Sequence, residues 1–220
     1  MNAAQRRICK YLSQPDTPGW VLNFYAIAAA FTAYFCMYDF RKPFAAATYA
    51  GDGLLGSEIT PKTAFVVSQL IGYTISKFLG VRVCTSLNAS QRTLALALAV
   101  LWAEASLLLF AVGSVPVQIV AIFLNGLPLG MVWGLVMAYL EGRRGSEIQF
   151  AGMSISFVIA SGVVKDAGRG LLSAGISEAW MPFLTGLIFI VPFGVALFLL
   201  RAMPPPPQKT ISLNVLNESR

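Results

Sequence analysis

Six long apolar stretches decide which folds this chain can adopt. They cover residues 20–38, 62–84, 93–113, 116–140, 148–172 and 180–201. An α-helix rises about 1.5 Å per residue, so about twenty residues cross the roughly 30 Å hydrocarbon core of a bilayer. Because lipid offers no hydrogen bonds to the backbone, such a segment must be helical. The sequence therefore predicts an all-α membrane protein with six transmembrane helices.

The charge content excludes a water-soluble domain. Only 12% of the residues are charged, about half the share found in soluble domains. The net charge of +6 would suit nucleic acid in a soluble protein, but here the basic residues flank apolar stretches, as in membrane proteins. The predicted partner is therefore the lipid bilayer and not nucleic acid.

The apolar stretches divide the chain into three parts. Residues 1–19 form a predicted cytoplasmic amino-terminal segment, 20–201 the six-helix transmembrane domain, and 202–220 a proline-rich cytoplasmic tail. The tail begins with four consecutive prolines and has no periodicity afterwards, so we expect it to be disordered or truncated. We expect the first helix to continue past Pro43 towards Tyr49, since the residues there are apolar and small.

Lysine and arginine positions predict the orientation in the membrane. One side carries the larger set, which comprises Arg6, Arg7, Lys10, Arg82, Arg92, Arg143, Arg144, Arg201, Lys209 and Arg220. The other side carries Arg41, Lys42, Lys62, Lys165 and Arg169. Basic residues favour the cytoplasmic side, so the sequence predicts a multi-pass protein with both termini in the cytoplasm, in a membrane that it does not specify.

No residue pattern points to an enzyme, a metal or a cofactor. The chain has no histidine, and its cysteines, Cys9, Cys36 and Cys84, are not spaced as metal ligands or as a disulfide pair. We interpret these thiols as reduced and structural. No nucleophile and base occur at a catalytic spacing, so we predict no catalytic residues.

The first polar cluster in the apolar stretches contains Tyr34, Tyr38 and Arg41. Their i, i+4, i+7 spacing places them on one helix face. Two interpretations are open. The side chains snorkel to the outer interface, or Arg41 lies inside the protein and binds an anion, with the tyrosines donating hydrogen bonds beside it.

A second polar stripe follows one face of the second apolar stretch. Its members are Ser68, Gln69, Tyr73, Ser76 and Lys77. Lys77 lies about 22 Å along the helix from Lys62. The stripe is either polar packing with a snorkelling lysine, or a cavity-lining face on which Lys77 adds positive charge.

Further charges occur in the third and fifth stretches. Glu104 either pairs with Lys77 in a structural ion pair, which we favour, or serves as a proton-titrating group. Lys165, Asp166 and Arg169 either line an outward cavity or mark the outer end of a helix, and we favour the second.

Small residues repeat in the fourth stretch. Gly126, Gly130 and Gly134 recur every four residues, a pattern that permits close helix contact. Pro128 falls inside it and predicts a kink. We interpret the glycines as packing positions and Asn125 as a candidate cavity residue.

Three segments resemble a known transporter group. They are AYF at 33–35 with FRKPFAAA at 40–47, GYTISKF at 72–78, and GLPLGMVW at 126–133. In this order they are similar to the first, second and fourth helices of organophosphate:phosphate antiporters, the glycerol-3-phosphate transporter group. Together they cover much of residues 31–133.

The resemblance implies the amino-terminal half of a major-facilitator fold, in which two six-helix halves rock around a central site. It implies an anionic substrate, with phosphorylated anions as first candidates. Arg41 is then the phosphate ligand, Lys77 adds positive potential, and Tyr34 and Tyr38 line the path. Gln69, Tyr73, Glu104, Asn125 and Lys165 are candidates for the cavity or for coupling.

The chain departs from the transporter group in several places. Residues 81–92 contain no acid, although the group has one in that loop, and the usual fourth-helix arginine is absent. No second half follows, so we expect a missing carboxy-terminal half or a second copy as partner. The alternative hypothesis is a non-transporting sensor, scaffold or regulatory subunit. Transport is favoured if Arg41, Lys77 and Glu104 point into one cavity.

Overall fold

The computed structural model describes residues 1–50, 59–143 and 145–206, and every regular element in these ranges is helical. Six helices are long and apolar enough to cross a membrane, which confirms the predicted six-helix, all-α membrane fold. The predicted disordered tail from residue 207 onward and Arg144 lie outside the described residues. The helices are α1 (Ala3–Leu12), α2 (Gly19–Arg41), α3 (Pro61–Ser86), α4 (Ala89–Val112), α5 (Val115–Leu140), α6 (Ser146–Ser173) and α7 (Met181–Ala202).

The six long helices alternate in direction and give the bundle two ends. At the terminal face, α2, α4 and α6 begin and α3, α5 and α7 end; the opposite end is the far face. Helix α1 lies at the terminal face, where Gln5 donates to the Phe198 carbonyl at 3.3 Å. Helix α2 packs against α4, α5, α6 and α7, whereas α3 packs mainly on α5. The bundle is therefore built around α2.

The α3–α5 contact depends on missing side chains. A Cβ atom added at Gly126 would lie 2.5 Å from the Gln69 carbonyl oxygen, and one at Gly130 would lie 2.5 Å from that of Tyr73. At Gly134 it would lie 3.0 Å from the Cys84 sulfur. The first two distances are too short for a real side chain and the third is tight, so Gly126 and Gly130 above all let the two backbones approach closely.

Pro128 changes the hydrogen bonding of α5. It has no N–H group, so the Leu124 carbonyl one turn earlier lacks its helical partner. Trp102 of α4 donates its Nε1–H to that carbonyl at 3.0 Å. The proline thereby creates an acceptor that ties α5 to α4.

Helix α2 ends earlier than predicted. The expected continuation past Pro43 is wrong: the α-helix stops at Arg41, and Pro43–Ala46 form one turn of 3-10 helix. Pro43 has no N–H group, so it cannot donate the hydrogen bond to the Asp39 carbonyl that would continue α2. The last carbonyls of any helix lack internal partners. Here Asn125 donates to the Phe40 carbonyl at 3.0 Å and Gln69 to the Arg41 carbonyl at 2.9 Å.

The end of α2 lies inside the bundle and not at its surface. Gln69, which binds the Arg41 carbonyl, is eight residues after Pro61, about 12 Å from that end of α3. Asn125 is ten residues after Val115, about 15 Å from the far-face end of α5. Irregular backbone at this depth is tolerated only where protein satisfies it.

The segment after the 3-10 turn is held at the far face by Glu178. The backbone N–H groups of Thr48 and Tyr49 donate to its carboxylate at 3.0 and 2.8 Å, and the Thr48 hydroxyl donates at 2.9 Å. Partial burial alone would raise the pKa of Glu178, but these hydrogen bonds and the charge of Lys62 outweigh it and lower that pKa. Lys62 also donates to the Ala47 carbonyl at 2.7 Å.

Candidate functional site

Five side chains singled out in the sequence meet between α2 and α3. Arg41 stacks on Tyr73, with the guanidinium carbon 3.9 Å from the ring centroid, and lies 6.0 Å from the ring of Tyr38. The Lys77 ammonium lies 5.0 Å from the same Tyr73 ring. Tyr34 packs against Tyr38 with ring centroids 5.6 Å apart. We call Tyr34, Tyr38, Arg41, Tyr73 and Lys77 the basic cluster.

An additional aromatic side chain of α5 supports the cluster. The rings of Tyr34 and Trp133 meet edge to face with centroids 4.9 Å apart. Tyr34 and Tyr73 are buried, whereas Lys77 is exposed. Trp133 was not predicted as a site residue, although it lies seven residues after Gly126, and this heptad spacing places it on nearly the same face of α5. The aromatic rings restrict where the Arg41 guanidinium can lie.

The positive charges of this region have no acidic partner among the described residues. The one ion pair there joins Arg169 to Asp166 at 2.9 Å, and both of those side chains are exposed. The Nε atom of half-buried Arg41 has no hydrogen-bond partner in the same part of the chain. A guanidinium carries five N–H donors, so Arg41 retains donors for an anionic ligand.

Lysines from two other places add to the positive potential. Lys42 lies within electrostatic range of both Arg41 and Lys165. Lys165 is eight residues before the end of α6, about 12 Å from it, so it is not at the helix end as we favoured. Asp166 and Arg169 are exposed and bind each other. Of Lys165, Asp166 and Arg169, only Lys165 therefore contributes to this region.

Gln69 and Asn125 are buried and brace the site. Gln69 donates to the Arg41 carbonyl and to the Asn125 side-chain oxygen, both at 2.9 Å. Asn125 donates to the carbonyls of Phe40 and Ala103 at 3.0 and 3.1 Å. These four bonds join α2, α3, α4 and α5 at one level and fix the backbone that carries Arg41.

Glu104 does not pair with Lys77, so the favoured ion pair is wrong. Lys77 lies over Tyr73 on the α3 side, whereas the Glu104 carboxylate fills the space left by the missing side chain of Gly186 on α7. Its charged neighbour is Asp39 of α2. Sequence reasoning did not select Asp39. Its position two residues before Arg41 puts it about 200° around the helix from Arg41, on the other face of α2.

A cavity of about 470 Å³ opens beside the basic cluster. It lies between α3 and α5, and its wall includes Lys77, Trp133 and two of the packing glycines, Gly130 and Gly134. A volume of this size is ordinary for a small-molecule site. The cavity therefore borders the lysine side of the cluster.

Comparison with known proteins identifies a family whose function is unknown. Residues 43–218 match the profile of a family described as a family of unknown function (DUF5690). No curated protein and no solved structure matches the chain. The matched range contains Tyr73, Lys77 and Glu104 and starts two residues after Arg41.

Proposed function

The chain belongs to the DUF5690 family, and from the chemistry of its own site we propose that it is half of a secondary transporter for a small organic anion. The transport mode is alternating access, and phosphorylated anions are the first candidates. Arg41 binds the anionic group. Lys77, Tyr34 and Tyr38 lie along the path to it.

The observation that carries this proposal is the setting of Arg41. Its guanidinium is held by stacking on Tyr73 at 3.9 Å, and its Nε has no partner among the described residues. An uncompensated charge at membrane depth is expensive and is usually functional. A bound phosphate or carboxylate would supply both the missing charge and the acceptors for a bidentate contact.

The neighbouring cations favour an anion over a neutral solute. Lys77 lies over the Tyr73 ring that Arg41 also contacts, and Lys42 lies within electrostatic range of Arg41 and Lys165. No acid in the described ranges forms an ion pair with these lysines, so their combined field attracts anions. The tyrosine hydroxyls add donors that do not depend on charge.

Uptake into liposomes tests the proposal. Protein purified from its own host, with any natural partner retained, is reconstituted and supplied with radiolabelled phosphate or glycerol 3-phosphate. We expect Arg41→Lys to reduce uptake at least ten-fold, since an ammonium cannot form the two parallel bonds of a guanidinium. Arg169→Lys, at an exposed ion pair, is the matched control and should leave uptake unchanged. Equal uptake by wild type and Arg41→Lys rejects the ligand role.

Transport by this chain needs a second set of six helices, because alternating access requires two halves that move against each other. We propose either a carboxy-terminal half or a second copy of this chain. Native and denaturing mass spectrometry of the protein from membranes together distinguish them, because a homodimer dissociates on denaturation into chains of 23.7 kDa, whereas a single chain with both halves keeps its full mass. We also propose that the terminal face, which carries the exposed Arg6, Arg7 and Lys10, is cytoplasmic.

One observation favours the alternative of a non-transporting sensor, scaffold or regulatory subunit. Arg41 and Lys77 share one site, but Glu104 faces the opposite side of α2. A binding protein without a transport cycle needs Arg41 and Lys77 but not Glu104. Such a protein would bind labelled phosphate in detergent, but neither the wild type nor any Arg41 variant would take phosphate up into liposomes.

A further inference from the structure

Two acidic side chains face each other in the interior of the bundle. Asp39 of α2 is 0% exposed and Glu104 of α4 is 6% exposed. All four of their carboxylate oxygens are enclosed and have no hydrogen-bond partner among the described residues. Buried polar groups are normally paired, so this carboxyl pair requires an explanation.

The fold holds the two carboxyl groups next to each other. Asn125 donates to the carbonyls of Phe40 and Ala103, the residues that follow Asp39 and precede Glu104. This clamp fixes the two backbones at the same level. On the third side, Gly186 of α7 has no side chain, and a Cβ atom there would overlap the Glu104 carboxylate. The two acids are close enough for the charge of Glu104 to act on Asp39.

Within the described part of the chain, helices α2, α4, α5 and α7 provide no cation that pairs with these acids. On α2, Cys36 is the titratable neighbour of Asp39, and Arg41 points the other way, onto Tyr73. Helix α7 has no ionisable side chain between Met181 and Leu200. The other ionisable residues of α4 and α5 are at the terminal face, where Arg92 binds the Ala138 carbonyl and Tyr139 bonds with Thr93.

A metal ion does not suit this site. Hard cations such as Mg²⁺ and Ca²⁺ take about six or more oxygen ligands. The flanking carbonyls of Phe40 and Ala103 already accept from Asn125. The Glu104 carboxylate fills the notch at Gly186, and among the described residues no three acidic or cysteine side chains are grouped as metal ligands. A proton needs no space and removes the unpaired charge.

We propose that Asp39 and Glu104 form a proton-binding site, in which the two carboxyl groups retain at least one proton between them at neutral pH. Two ionised carboxylates side by side in an apolar interior repel each other, whereas a protonated group can donate a hydrogen bond to its neighbour. Such a pair releases its protons in two coupled steps. If the proposed transport is correct, this proton is the coupling ion, and only this last clause rests on the proposed function.

Infrared spectroscopy of the chain in lipid nanodiscs tests the site without any substrate. A neutral carboxylic acid has a carbonyl stretch that a carboxylate lacks. We expect this band in the wild type at neutral pH, and we expect it to disappear in two steps as the pH rises. Asp39→Asn or Glu104→Gln should leave a single step, and the double variant should lose the band. Asp166→Asn, at the exposed ion pair, is the control that should change nothing.

Isotope labelling makes the test independent of the variants. Incorporation of ¹³C-carboxyl aspartate or glutamate should shift the same band in the unmodified protein, so a variant that fails to fold does not leave the question open. A neutral-pH spectrum without a neutral-acid band that responds to either label overturns the proposal. A band whose loss depends on added sodium at constant pH also overturns it, and indicates a cation site instead. Uptake plays no part, so failure here is separate from failure of the transport proposal.

Discussion

The two sides of the last turn of α2 carry opposite charges in opposite surroundings. On one side, Arg41 stacks on Tyr73 next to the exposed Lys77 and a cavity. On the other side, Asp39 is 0% exposed and meets Glu104 in a closed interior. Only Phe40 separates the arginine from the aspartate in the sequence. The comparison teaches that one helix end serves two chemistries, an accessible positive site and an enclosed acidic one.

Both sides depend on the same brace. Gln69 and Asn125 satisfy the last carbonyls of α2, and Asn125 also binds α4. The brace therefore fixes Arg41 relative to α3 and Asp39 relative to Glu104. A substitution in the brace should damage both regions, whereas a substitution in one region should leave the other intact.

The largest effect is expected from Asn125→Leu. It removes the donor to the Phe40 and Ala103 carbonyls and leaves the Gln69 amide with the Arg41 carbonyl alone, and a buried polar group that loses its partner costs about 1–3 kcal/mol. We expect the free energy of unfolding to fall by about 2–4 kcal/mol in SDS titrations followed by circular dichroism. Gln118→Leu is the control, because it removes a single hydrogen bond, from the Gln118 amide to the Phe110 carbonyl, next to the turn between α4 and α5. An Asn125→Leu protein as stable as this control contradicts the shared brace.

The next effect concerns the α3–α5 contact that carries Tyr73 and Lys77. Gly126→Ala places a methyl group against the Gln69 carbonyl, so we expect a loss of about 1–3 kcal/mol. Gly162→Ala meets nothing within 4 Å and should be neutral or stabilising by up to about 1 kcal/mol. The same SDS titration measures both. Equal stability of the two variants would show that α3 and α5 do not approach as closely as described.

A smaller effect is expected within the basic cluster. Tyr73→Leu removes the ring that holds Arg41 and faces Lys77, and cation–π contacts contribute about 0.5–2 kcal/mol. We expect phosphate affinity to weaken about three- to thirty-fold, with Tyr73→Phe close to wild type.

Lys77→Ala should weaken binding of anions more than of neutral solutes. Equal weakening of both solutes would indicate that Lys77 only packs.

The smallest effect concerns the far face. The folded state holds the pKa of Glu178 below the ordinary value of a glutamate, so the stabilisation is present above the unfolded-state pKa, about 4.3, and is lost as the pH falls through the folded one. The side chain is partly exposed, so we expect less than about 1 kcal/mol. Melting curves from pH 7 downward should converge for wild type and Glu178→Gln in acid. A constant gap at every pH contradicts this role.

The sequence was sufficient to predict features that depend on the length of an apolar stretch or on the geometry of a single helix. Apolar length gave six spans, and helical spacing put Tyr34, Tyr38 and Arg41 on one face. It did not predict where α2 ends, because the apolar residues after Pro43 suggested a longer helix, whereas the missing N–H group of Pro43 interrupts the helical hydrogen bonds. Periodicity within a single helix carries no information about which neighbour that face meets.

The errors at the site have the same physical origin. Lys77 and Glu104 both lie within apolar stretches, so depth alone suggested an ion pair. The structure places them on opposite sides of α2, and which side a residue faces depends on how the helices pack. Asp39 and Trp133 were not selected for the same reason. Their importance follows from Glu104, Gly186 and Tyr34, which are distant in sequence.

Equilibrium binding of radiolabelled phosphate to the chain in nanodiscs tests the central claim most directly, because it compares the two sides of α2 in one assay. The claim predicts that Arg41→Lys weakens phosphate binding at least ten-fold, whereas Asp39→Asn leaves it within about three-fold, as for a group that does not touch the anion. A wild type that binds neither phosphate nor glycerol 3-phosphate would contradict the claim. So would an Arg41→Lys variant that binds phosphate as tightly as the wild type.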